Sequence, residues 1–270
     1  MTALDVLGAS ALAELAPGSH VSWVVDDPAE YVRWGTTVLA DADRYGQRPV
    51  VFGPAGEART SLAPRAALVA DPLVDILGGR FEADTMYAMF REQTALARAA
   101  GHRGLRLVAD MDWLLPASVA DDEVLMFELG LDRLAMELDA TIVCAYRSAS
   151  FGAASACRTA CVHRLDVRTG PPPQFRLVAR DPGTWALAGE VDMAVEAPFA
   201  ATLSRATDVD PCVIDLAELT YIGVGGLRTL ADTSRRRRRR IRLLHAKEPV
   251  LRMWQACGYD VAAPEVQITS

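Results

Sequence analysis

The side chains that could do chemistry lie in a few short stretches. His20 follows Pro17-Gly18-Ser19 and precedes an apolar run, where an imidazole either recognises a ligand or ties down its loop by hydrogen bonding. The two readings are about even. Cys157, Cys161 and His163 fall within seven residues, which raises a metal site. No second ligand pair at finger-type spacing accompanies them, so packing is their expected role and no metal is expected. Asp110 and Asp112 are paired acids at the end of a predicted strand, suited to metal or acid–base work, but alternation along an extended strand sends them to opposite faces. No catalytic residue is therefore expected. Trp23, Phe81, Trp113 and Tyr146 lie beside the ends of predicted strands, where open α/β sheets bind ligands. The candidate ligand-binding set is thus His20, Trp23, Phe81, Asp110, Trp113 and Tyr146, with core filling the safer reading for any single aromatic.

Two glycine clusters, Gly78-Gly79 and Gly223-Val224-Gly225-Gly226, lack the Gly-Lys-Ser/Thr ending that holds phosphate and magnesium, which disfavours ATP hydrolysis. The second precedes a helix but lacks dinucleotide-fingerprint spacing. No cofactor is expected. The run Arg235 through Arg240 closes a predicted helix, where positive charge meets the negative end of the helix dipole. A solvated helix end is slightly favoured over a patch that docks an acidic partner.

The elements that must position these residues follow from hydrophobic periodicity. Strands are predicted over 21–25, 49–52, 104–109 and 140–146, and helices over 28–45, 85–100 and 122–138, the last amphipathic. Strands alternating with crossover helices imply a largely parallel sheet covered on both faces. Three prolines, Pro171-Pro172-Pro173, remove backbone donors and force an extended spacer, so a boundary is placed there. Beyond it, 175–179 and 184–189 read as a hairpin, 211–215 and 241–245 as strands, and 195–206, 225–238 and 249–257 as helices. The expected fold class is α/β in two domains: residues 1–168, a spacer over 169–174, and residues 175–270.

With 51% hydrophobic and 23% charged residues the chain has material for real cores and is not disordered. Its net charge of -7 argues against coating nucleic acid or anionic membrane, and six clustered arginines are too few for DNA binding. No apolar stretch long enough to span a bilayer occurs and the first residues lack a secretory signal, so a cytoplasmic location is expected. The five cysteines are odd in number and sit among apolar neighbours, as reduced thiols would. Abundant Ala, Arg, Asp and Val with a single Lys suggest a bacterial, high-GC origin.

Trp185-Ala186-Leu187-Ala188-Gly189-Glu190-Val191-Asp192 resembles the Leu-x-Gly-Glu-x-Asp opening of STAS domains of the anti-sigma-factor antagonist type. Asp215-Leu216-Ala217-Glu218-Leu219-Thr220-Tyr221-Ile222 is similar to that family's Asp-Leu-Ser-x-Leu-Thr-Phe-Ile strand, Gly226-Leu227 to the start of its next helix, and residues 249–259 to its closing helix. The resemblance implies a partner, an anti-sigma factor or serine-kinase-like regulator, met by Asp192, Tyr221, Gly223, Val224, Gly225, Gly226 and Leu227. It also implies a switch hydroxyl, phosphorylated by that kinase, at the position held by Gly225, which cannot be phosphorylated.

The N-terminal part resembles the MEDS sensory domain, through residues 17–23, Gly79-Arg80-Phe81, Gly104-Leu105-Arg106, Met111-Asp112-Trp113 and Cys144-Ala145-Tyr146. That resemblance implies a P-loop-like, RecA-like layered sheet without nucleotide motifs. The family's cysteine two residues after the histidine is Ser22 here. The expected function is a non-catalytic signalling regulator, in which the N-terminal domain receives a small molecule or protein and alters how the STAS domain meets its partner. The rivals are an enzyme built on His20, Asp110 and Tyr146, and a scaffold subunit of a STAS assembly; self-association into a homo-oligomer stays open.

Overall fold

The computed structural model describes residues 6–151, 159–168, 171–181, 183–208 and 210–269. Cys157 lies outside them. The N-terminal half contains β1 (Val6–Leu7), β2 (His20–Val25), α1 (Pro28–Ala40), α2 (Ala42–Tyr45), β3 (Gln47–Phe52), α3 (Glu57–Leu62), β4 (Leu68–Ala70), α4 (Ala83–Ala99), β5 (Gly104–Asp110), α5 (Asp121–Leu138), β6 (Thr141–Arg147) and β7 (Leu165–Val167). Its seven strands pair in the order β1-β7-β2-β6-β5-β3-β4, and every pairing is parallel. The β-α-β reading therefore holds. The helix expected over 28–45 is broken at Asp41, whose N–H closes the end of α1 before the short α2.

Alternation fixes the two faces of this sheet. Val21, Trp23, Val25, Val51, Val108, Val143 and Ala145 pack against α1 and Leu62 of α3. The other set, including Val50, Phe52, Leu107, Ala109, Ile142, Cys144 and Tyr146, packs against α4 and α5. His20 and Trp23 consequently face opposite sides.

The C-terminal half contains β8 (Phe175–Asp181), β9 (Thr184–Val191), α6 (Glu196–Ala206), β10 (Cys212–Asp215), β11 (Leu219–Ile222), α7 (Val224–Arg237), β12 (Ile241–Leu244), α8 (Glu248–Ala256), α9 (Tyr259–Ala262) and β13 (Val266–Ile268). The pair β8–β9 is the expected hairpin, and β9 continues in parallel with β10 and β11. Strands β12 and β13 extend the sheet. Among the described residues, no helix is long and apolar enough to cross a membrane.

The halves share a core. Leu125 and Leu129 of α5, with Cys161 and Val162, pack with Phe175, Leu177, Trp185, Phe199 and Leu203. Helix α5 buries Val124, Leu125, Phe127, Leu129, Leu131, Leu134 and Ala135 on a wide apolar face that meets both sheets, and leaves a partly open stripe at Gly130, Arg133 and Glu137. Burial then extends to its acids: Glu128 and Asp132 are 0% and 1% exposed.

Candidate functional site

Two of those buried acids organise the most polar part of the interior. Glu128 and Asp132 are four residues apart and so share one face of α5, aimed at the sheet. His20 opens β2, and in the parallel register Ser22 stands beside Cys144 of β6, which brings His20 and Cys144 diagonally together on the α5 face. His163 enters from the turn before β7. The His20 Nε2 lies 3.1 Å from Glu128 Oε2, Cys144 Sγ lies 3.4 Å from the same oxygen and 3.6 Å from His20 Nε2, and His163 Nε2 lies 3.2 Å from that oxygen. All four donor atoms fall within 4.8 Å of one another and all four residues are buried.

A surrounding layer of polar groups orients them. The Tyr146 hydroxyl donates to Glu128 Oε1 at 2.5 Å, His163 Nδ1 meets the Thr159 carbonyl at 2.8 Å, and His20 Nδ1 lies 3.5 Å from Asp132 Oδ1. The other Asp132 oxygen accepts the backbone N–H of Ala179, on β8 of the second sheet, at 2.6 Å. A second bridge between the halves is buried too: Asp166 of β7 is paired with Arg168 at 2.8 Å and with Arg176 of β8 at 3.6 Å.

Burial alone would lower the His20 pKa, but Asp132 and Glu128 raise it. Burial and the neighbouring His20 lower that of His163. Glu128 is held well below the usual carboxylate range: burial opposes this, and the two histidines outweigh it. Burial, then the Glu128 charge, pushes Cys144 and Tyr146 up. The Glu128 charge thus disfavours ionisation of Cys144 and Tyr146 and, with Asp132, favours a proton on His20.

The sequence-selected residues divide among four places. His20 and Tyr146 join the buried cluster. Trp23 packs on the opposite face, stacked on Tyr31 with ring centroids 5.7 Å apart. Trp113 is 2% exposed and fills the core with Phe127, while Phe81 touches both rings and lines a cleft of about 400 Å³ with Arg205, Asp208 and Arg237 of the second half. Asp110 pairs with Arg147, and both line a cleft of about 580 Å³ with Asp27, Pro54 and Glu57 at the carboxyl ends of the strands. Asp112 turns toward the same arginine, its Oδ2 3.7 Å from Arg147 Nε. The opposite-face expectation fails because β5 ends at Asp110, whose side chain caps the N–H of Asp112 as a 3₁₀ turn begins. His20, Asp110 and Tyr146 do not surround one cavity.

The trio considered for packing or metal divides as well: Cys161 lies in the shared core, while His163 joins His20, Glu128 and Cys144. Sequence reasoning missed Glu128 and Asp132 because isolated acids on a helix look solvated. The unusually wide apolar face of α5, with Leu125, Leu129 and Leu131 set around the two acids, is the available signal.

At the other functional candidate, Gly223 precedes the first turn of α7. Met193, Tyr221 and Val224 expose large apolar side chains around it, at 86%, 49% and 54%. Asp192 caps the Ala194 N–H at 2.8 Å and accepts from Gln174 at 3.2 Å. Leu227, expected as a contact, is fully buried, and a Cβ on Gly226 would crowd Ile222 and Val191, so both seat the helix on its sheet and are not free to meet a partner. A Cβ on Gly225 would overlap the carboxylate of Glu196, whose partner Arg228 is 3.6 Å away. The glycine leaves room for a carboxylate against the first turn of a helix, where negative charge is favoured. Of the arginine run, Arg235 and Arg236 approach Asp232, Arg237 meets Asp208 at 2.7 Å, and Arg240 approaches Asp210.

Residues 19–164, the segment holding β2 through β6 and the buried cluster, match the family described as MEthanogen/methylotroph, DcmR Sensory domain. The chain belongs to the MEDS family. Residues 178–266 match the family described as Mlab, STAS domain, so a STAS domain follows the MEDS domain in one chain. Among solved structures, the anti-sigma factor antagonist SpoIIAA in its unphosphorylated form is similar at 15% identity, covering 36% of this chain and 87% of that chain with a TM-score of 0.28. No curated protein matches the chain.

Proposed function

We propose that this chain is a non-catalytic regulator of transcription in which residues 1–168 receive an input and set how residues 175–270 meet an ATPase-fold anti-sigma kinase, with 169–174 as the spacer. The family pairing of sensory and STAS domains motivates the reading. The observation that carries it is α5: one helix supplies Glu128 and Asp132 to the buried sensory cluster and Leu125 and Leu129 to the core of the STAS sheet. An input acts on a distant surface only if it favours one of two arrangements of the protein, and a shared helix provides a mechanical route for that preference.

The docking surface in this reading is the exposed loop around Gly223, with Met193, Tyr221 and Val224 as its apolar contacts. Because Gly225 carries no hydroxyl and the Glu196 carboxylate stands in its place, charge there is fixed, and control passes to the sensory half.

The test uses the full chain, since removing residues 1–168 would expose the faces of β8 and α6 that pack on α5. Full-length bait in extract from the native cell should retain an ATPase-fold kinase, identified by mass spectrometry, and Val224→Asp should abolish that retention without altering the folded spectrum. Retention unchanged by Val224→Asp, or none with folded wild-type bait, contradicts the reading.

A further inference from the structure

We infer that His20, Glu128, Cys144 and His163 form a closed coordination site for one divalent transition ion of the zinc class.

The argument begins with lone pairs. His163 Nδ1 faces the Thr159 carbonyl, an acceptor only, so that nitrogen carries the ring proton and Nε2 presents a lone pair. That lone pair is completely buried, makes no hydrogen bond among the described residues, and lies 3.2 Å from a carboxylate oxygen. The same oxygen also faces His20 Nε2 and Cys144 Sγ. The Cys144 thiol donates to that oxygen and His20 Nε2 is hydrogen-bonded to it, which leaves the His163 lone pair facing a carboxylate in a dry interior with no proton between them. A shared proton can satisfy one such pair; an ion at the centre satisfies all four.

The spacing agrees. Bonds of about 2.0–2.3 Å to nitrogen, oxygen and sulfur put neighbouring atoms of a tetrahedron roughly 3.3–3.6 Å apart. Four of the six separations are 3.1, 3.2, 3.4 and 3.6 Å, and all six lie within 4.8 Å, so small side-chain movements close the tetrahedron. Two imidazoles, one carboxylate and one thiolate suit zinc and its neighbours in the first transition row, whereas calcium and magnesium take oxygen alone. Charge closes as well: neutral imidazoles with a carboxylate and a thiolate carry two negative charges against a dication, and loading releases the Cys144 thiol proton to solvent.

The surrounding groups are those a metal site requires. Ligating histidines turn their second nitrogen to a carbonyl or carboxylate: here His163 Nδ1 bonds the Thr159 carbonyl and His20 Nδ1 faces Asp132 Oδ1 at 3.5 Å, and the ligating carboxylate is itself held, here by Tyr146. Four protein ligands with no exposure leave no open position for substrate, which makes the site structural or regulatory. It deepens the sensory reading and rests on it only for its consequence in signalling; ion uptake itself is independent of any partner.

The experiment measures metal on the full-length chain, without partner. Purified protein, unfolded and refolded with zinc, should hold one ion per chain by mass spectrometry. Refolding with cobalt should give the visible spectrum of a tetrahedral site with a near-ultraviolet thiolate-to-cobalt band. Cys144→Ser should lose that band while Cys257→Ser, at a half-buried position remote from the cluster, keeps it. Tyr146→Phe should weaken zinc binding about 10- to 100-fold in chelator competition. A chain with native circular dichroism that takes up neither ion, or a thiolate band that survives Cys144→Ser, overturns the inference. Kinase retention is read in a separate assay, so either proposal can fail alone.

Discussion

Two polar clusters lie inside the same parallel sheet, and they are built on opposite principles. The first surrounds Arg106, wholly buried where β3, β5 and β6 begin. Its Nε donates to the Val38 carbonyl at 2.7 Å, Nη1 to Gln47 Oε1 at 2.9 Å and Thr141 Oγ1 at 3.2 Å, and Nη2 to the Leu15 carbonyl at 2.9 Å. Each nitrogen has an acceptor, so the network is complete and pins four segments together. The second, around Glu128, takes hydrogen bonds from the Tyr146 hydroxyl and the Cys144 thiol yet leaves the buried His163 Nε2 lone pair facing the carboxylate. A satisfied network explains itself as structure; an unsatisfied one of His, Cys and Glu calls for a cation.

The largest effect should come from breaking the complete network. Arg106→Met takes the guanidinium donor from the buried Val38 and Leu15 carbonyls, leaves Gln47 Oε1 only the Thr141 hydroxyl, and should cost about 3–5 kcal/mol in urea unfolding, by the same amount with and without zinc. The other cluster should behave in the reverse way. Zinc at a thousand times its dissociation constant should stabilise the wild-type chain by about 4 kcal/mol, and Glu128→Gln should erase that gain. Equal zinc dependence in both variants would dissolve the contrast.

A smaller effect tests the helix that joins the halves. Gly130 lets the Tyr87 ring of α4 lie against α5, where its hydroxyl donates to the Phe127 carbonyl at 2.9 Å; a Cβ there would overlap the ring. Gly130→Ala should destabilise by about 1–3 kcal/mol and, by displacing α5, weaken zinc binding as well. The smallest effect belongs to the STAS loop. Gly225→Ser asks only that the partly exposed Glu196 side chain swing away from Arg228, a surface pair worth about 0–1 kcal/mol, and unfolding should register no more than that.

The sequence conveys the scaffold better than the cluster, for a physical reason. Runs such as Leu107 to Ala109 and Ile142 to Ala145 are buried on both faces and read directly as strands. Short strands such as β4, β7 and β13 carry too few residues to show a period. The donor set is harder still. Its members lie on two strands, a helix and a turn, and only register brings His20 and Cys144 together. Local spacing pointed instead to Cys161, which is a core residue. Glu128 was concealed by the habit of reading a helical acid as solvated, a habit that fails when a second domain covers the helix.

The central claim is that the sensory cluster is coupled to the STAS sheet through Asp132, which faces His20 on one side and holds the Ala179 N–H on the other. Amide hydrogen exchange at Ala179, followed with and without zinc, tests this directly. Zinc should slow exchange at Ala179 in the wild-type chain by more than at the remote strand β12, and should leave it unchanged in Glu128→Gln. Exchange at Ala179 that ignores zinc in a zinc-loaded wild-type chain would contradict the account.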